Sequence, residues 1–146
     1  MGLDAALDGF WEVADARRLG IDTVQVAADD GGHGERRRID DIRRDVFSVS
    51  LHEGIHDGHR LVPADYLARM TADTTRTGRD EPDNQVYGLH VWLCARDGAW
   101  RMDGIYGQFG IVLPEHRACV SITAHCRVPT TRILDCVWEH IVPALA

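Results

Sequence analysis

Residues 87–146 constrain the fold most, because they form a succession of short apolar runs separated by turn residues and closed by a helical pattern. Residues 87–94 read as a strand and Asp97-Gly98 as a turn. Residues 99–103 and 109–113 follow as two strand pieces broken around 104–108, and residues 118–125 supply another strand. Ile133, Leu134, Val137, Trp138, Ile141 and Leu145 then recur at the spacing of a helix entered through Pro129.

The first half is less regular. Leu3, Leu7, Phe10, Trp11 and Ala14 mark an amphipathic first helix, with Gly20 as its stop. Residues 23–28 alternate as a strand, Asp30-Gly31-Gly32 suits a tight turn, and a return strand over 35–39 completes a hairpin whose arginines fit an exposed edge. Residues 63–70 read as a short helix with Pro63 in its first turn, and residues 71–85 as a loop. Helix, two strands, a long interruption, three strands and a helix imply an α+β domain. The expected architecture is an antiparallel sheet of about five strands with the N- and C-terminal helices packed on one face. Residues 23–28 would lie between the 35–39 edge and the 118–125 strand. In residues 87–94 both alternating sets are largely apolar, the mark of a strand covered on both faces. Too few helices are available to supply that cover. Trp11, Trp92, Trp100 and Trp138 read as core residues, yet the missing cover predicts an apolar patch near Trp92 and Trp100, and with it self-association.

At 146 residues the chain is expected to form a single domain, 1–146, with room for a substantial core. The net charge of -7 disfavours nucleic acid and anionic membrane as partners. The Arg36-Arg37-Arg38 and Arg43-Arg44 cluster, interrupted by Asp40 and Asp41, reads as a solvated edge. Residues 1–19 are acidic and amphipathic and signal neither export nor membrane insertion, so cytoplasmic residence is the expectation. Cys94, Cys119, Cys126 and Cys136 lack paired metal-site spacing and read as buried thiols.

Specific stretches carry a family likeness. Tyr87-Gly88-Leu89-His90-Val91-Trp92, Met102-Asp103-Gly104-Ile105-Tyr106-Gly107-Gln108, Ile111-Val112-Leu113-Pro114-Glu115 and Val120-Ser121-Ile122-Thr123 together resemble the C-terminal part of class C β-lactamase and penicillin-binding-protein-like serine hydrolases. In that family a strand ending in K-T-G or H-T-G lines the active site; the matching triplet is Met102-Asp103-Gly104, without a cationic first residue. Asp45-Val46-Phe47-Ser48-Val49-Ser50 resembles the approach to the family's S-x-x-K motif, which implies Ser48 as the nucleophile position and the backbone N–H groups of Ser48 and Ile105 as its oxyanion hole. The lysine three residues on would accept the serine proton, but that position is Leu51, and all sixteen basic residues of the chain are arginine. The second motif, Y-x-N or S-x-N, is also missing, since Asn84 is the only asparagine and no tyrosine or serine stands two residues before it.

Residues 51–63 resemble the part of the family that follows its helical domain. The likeness therefore implies two joined pieces, 1–50 and 51–146, with that domain deleted near Ser50. It implies a serine hydrolase acting on small ester, amide or β-lactam substrates without a cofactor, and inactive in this form. Without a base the Ser48 hydroxyl stays protonated, and the alternative for Ser48 is a buried or capping serine. His52 stands four residues on, but no third group is placed to orient it. Asp103 is either a strand-end turn residue or a side chain facing the remnant cleft.

Two other classes remain open. His52-Glu53-Gly54-Ile55-His56 matches H-E-x-x-H, in which two histidines one helical turn apart bind zinc. Gly54 and Asp57-Gly58 favour a turn instead of that helix, so no metal site is expected. The other alternative is a small interaction or oligomerisation domain using the sheet face that has lost its cover.

Overall fold

The computed structural model describes residues 4–5, 7–8, 10, 21–28, 54–56, 58–96, 98–126, 129 and 131–145. Ser48, Leu51, His52, Glu53, the expected 35–39 strand and the junction near Ser50 lie outside them. Among the described residues there are nine strands: β1 (Ile21–Ala28), β2 (Ile55–His56), β3 (His59–Arg60), β4 (Thr75–Arg76), β5 (Val86–Tyr87), β6 (Trp92–Leu93), β7 (Trp100–Asp103), β8 (Phe109–Leu113) and β9 (Ala118–Ala124). Helix α1 covers Ala64–Ala72 and α2 covers Thr131–Cys136. Seven strands form one open sheet in the order β1-β9-β8-β7-β6-β5-β4, while β2 and β3 form a separate hairpin. The α+β class and the antiparallel sheet are as the sequence predicts, with more strands than the five expected. No described helix is long and apolar enough to cross a membrane.

The chain divides into two compact units. One comprises Met1–Gln25, Asp103–Phe109 and Ser121–Ala146. Its buried residues include Phe10, Ile122, Ala124, Cys126, Ile133, Leu134, Val137, Trp138 and Ile141. The last five fall on one helical stripe, which is why the segment is helical and which side it buries. Past Cys136 the helix widens into a π-turn over Val137–Ile141, where the Val142 N–H donates to the Val137 carbonyl. Pro143 accounts for the widening: it has no N–H to give, and its ring would press on the carbonyl four residues back in a regular α-helix.

The other unit comprises Val26–Met102 and Gly110–Val120. Val91, Trp100 and Val112 form a buried cluster against which Met70, Leu93 and Met102 pack. Trp100 is therefore interior, as its reading as a core residue predicts. A correction concerns residues 87–94. They form no continuous strand but the tip of a hairpin, with Val86 opposite Leu93 and Tyr87 opposite Trp92. The Gly88 N–H donates to the Val91 carbonyl at 2.7 Å, leaving Leu89 and His90 as the loop, with His90 at φ 62°. The apolar residues on both alternating sets thus belong to two strands and a turn, and no double cover is required.

Residues 73–85 are likewise more than a loop. They contain β4, paired with β5 through Thr75–Tyr87 and Arg76–Val86, and a 3-10 turn at Pro82–Asn84.

Candidate functional site: the turn between β7 and β8

Strand β7 ends in Asp103, and the chain reverses through Gly104, Ile105, Tyr106, Gly107 and Gln108 into β8. The reversal is closed by the Gly104 N–H donating to the Gln108 carbonyl at 2.8 Å and the Gly107 N–H donating to the Gly104 carbonyl at 3.0 Å. Gly107 lies at φ 83°, a conformation that favours glycine. A side chain on Gly104 would overlap the Gln108 carboxamide oxygen, so any other residue there would displace the Gln108 side chain.

The same turn is fastened to the end of β9. Gln108 Nε2 donates to the Ala124 carbonyl at 2.6 Å, its Oε1 accepts from the Tyr106 N–H at 3.3 Å, and the Cys126 N–H donates to the Tyr106 carbonyl at 2.9 Å. The Tyr106 ring then stacks on the His125 imidazole, with centroids 4.5 Å apart and planes 28° from parallel. Ile105, Tyr106 and His125 all face solvent.

Of the residues expected in a site, Asp103, Gly104 and Ile105 sit together on this turn, and Asp103 is exposed. Among the described residues the Ile105 N–H has no protein acceptor. Met102 differs: its side chain packs against the Val91–Trp100–Val112 cluster and offers no charge. The partnership of Tyr106 with His125 was not legible, because its members are nineteen residues apart and meet only through the fastening of the turn to β9.

The H-E-x-x-H stretch is described only from Gly54 onward. Ile55 and His56 are strand residues paired with Arg60 and His59, and Gly54 takes φ 84°, so residues 54–56 are not helical; His52 and Glu53 lie outside the described residues. Among the described residues no group of three His, Cys, Asp or Glu is placed to hold a metal ion. Burial pushes the Cys136 thiol up, with Glu139 and Asp135 adding to the effect, so it is not an activated nucleophile.

Arg101 is the main residue the sequence reading passed over. It is 1% exposed in the middle of β7. Nη1 donates to the Asp83 carbonyl at 2.6 Å and Nη2 to the Asn84 side-chain oxygen at 2.5 Å. Its guanidinium and that of Arg79 lie over the Trp92 ring at 5.6 and 5.5 Å, and Tyr87 meets the same indole edge-on. An arginine between Trp100 and Met102 looks like an outward-facing strand residue, and no local signal distinguishes it.

Comparison with models of known protein families gives no match, and comparison with curated protein sequences gives none. Solved structures do match. A "putative 6-aminohexanoate-dimer hydrolase" from Bacillus anthracis aligns with a TM-score of 0.55 and 16% identity over 70% of this chain and 27% of its own. A "putative beta-lactamase" from Bacteroides dorei DSM 17855 aligns with a TM-score of 0.55 and 15% identity over 90% of this chain and 50% of its own. The fold is therefore β-lactamase-like, and the chain spans between about a quarter and half the length of these two structures.

Proposed function

We propose that this chain is the sheet half of a β-lactamase-like serine hydrolase, descended from enzymes that acylate a serine with ester, amide or β-lactam substrates, and that it no longer turns substrate over. The observation carrying this reading is the β7 triplet. Gly104 closes a hydrogen-bonded turn and the Ile105 N–H has no protein acceptor among the described residues, which supports descent from an oxyanion-binding turn, while Met102, in the position of the family's cation, is a partly buried apolar side chain packed against the Val91–Trp100–Val112 cluster. Leu51 stands where the resemblance calls for a proton acceptor. Loss of general-base help alone removes about two to four orders of magnitude in rate.

The expected result is that neither a fluorophosphonate nor a reactive β-lactam modifies Ser48 faster than a free serine, read by mass spectrometry of the intact protein. Leu51→Lys is expected not to restore labelling, because catalytic groups act as a unit and the second motif is missing as well. Rapid modification of Ser48, abolished in Ser48→Ala, would identify a working hydrolase and overturn the proposal.

A second reading, an interaction domain, is favoured by Leu61 and Tyr66, two large apolar side chains exposed beside and on α1. It predicts reversible self-association that weakens in the Leu61→Ser, Tyr66→Ser double variant; a sedimentation coefficient independent of concentration counts against it.

A further inference from the structure

The β7–β8 turn presents two neighbouring apolar side chains to water: Ile105 is 85% exposed and Tyr106 45%. Glycine, asparagine, aspartate and serine are the usual occupants of such positions. The backbone beneath them is held by the Gly104–Gln108, Gly107–Gly104, Gln108–Ala124 and Cys126–Tyr106 hydrogen bonds. An exposed tyrosine ordinarily samples several rotamers, but here the ring is already stacked on His125, itself exposed. Ordering such side chains is one of the costs of binding, and in this pair much of that cost is met before a ligand arrives. We propose that the Tyr106–His125 stack is a binding wall for a flat, unsaturated group, namely the aromatic acyl group of an ester or amide, with Ile105 as the apolar lip beside it.

A planar ring extends the stack by one layer, whereas a saturated ring of the same size presents axial hydrogens and gains no such contact. The choice of an acyl ligand rests on the function proposed above; the preference for planarity rests on the ring geometry alone. Benzamide and cyclohexanecarboxamide serve as the probe pair, titrated into the full chain while the Tyr and His ring resonances are followed by NMR. Benzamide is expected to shift the Tyr106 and His125 signals and to bind more tightly than its saturated counterpart. Tyr106→Leu, which keeps an apolar side chain and the backbone carbonyl that accepts from Cys126, is expected to weaken benzamide roughly three- to tenfold and to leave cyclohexanecarboxamide unchanged. Tyr106→Phe is expected to retain the preference.

Equal responses to the two amides, or benzamide binding unaltered by Tyr106→Leu, would overturn the wall. The titration needs no turnover, so the two ideas fail separately. Fast labelling of Ser48 with the benzamide preference intact overturns only the loss of activity. An unreactive Ser48 with no discrimination between the amides overturns only the wall.

Discussion

Arg101→Met is expected to destabilise the protein by roughly 2–4 kcal/mol, which for a chain of this size is a fall of about 5–15 °C in Tm. The arginine is almost wholly buried, and its two terminal nitrogens satisfy the Asp83 carbonyl and the Asn84 side chain. Methionine fills most of the volume but strands both acceptors. Asn84 in turn holds its own segment, since its backbone carbonyl accepts from Thr77 Oγ1 at 2.5 Å, and the Asp83 carboxylate accepts from the Ala95 N–H at 2.8 Å. The loss is therefore expected to spread along residues 75–95, seen as faster amide exchange there than around Val112. Arg101→Lys is expected to do little better, because an ammonium cannot reproduce the planar fork that reaches both partners. Wild-type stability in either variant would show that the guanidinium is not what secures the 3-10 turn to β7.

Gly88→Ala is expected to lower stability by about 1–3 kcal/mol, the usual cost of overpacking, with the larger value favoured because the obstacle is backbone. A Cβ on Gly88 would overlap the carbonyl oxygen of Met70, near the end of α1. That carbonyl also accepts from the Leu89 N–H at 3.0 Å, so the helix and the hairpin tip cannot separate without losing the bond. Gly98→Ala is an internal comparison: its Cβ meets open space, and only the positive φ of 61° is strained. Denaturant titration of the two variants separates steric conflict from backbone strain. A smaller loss at Gly88 than at Gly98 would mean that α1 yields easily.

The last three sheet strands were legible because their punctuation is local. Gly98 and the 104–108 run announce reversals by residue type, and the apolar runs between them match β7, β8 and β9 closely. The 87–94 hairpin was not legible, for an instructive reason. Its glycine, Gly88, is there to let a helix approach, while the reversal itself is made by Leu89 and by His90 in a left-handed conformation. Strand β4 is two residues long and has no periodicity to read. In the candidate site, the triplet residues Asp103 and Gly104 and the Ile105 that follows were singled out by likeness to a family, but the packing of Met102 and the stacking of Tyr106 on His125 depend on contacts between distant segments.

The brevity of β4 has a consequence for how copies of this chain can meet. It is the final strand in the order among the described residues, and both Thr75 and Arg76 are exposed. A sheet margin that long offers an incoming strand only a couple of backbone hydrogen bonds, and a charged arginine stands in the row. Growth of the sheet by templated strand addition, the route to fibrous aggregates, is thus poorly supported at this end. Encounters there are left to side chains, whose contacts are reversible and can be tuned by single substitutions.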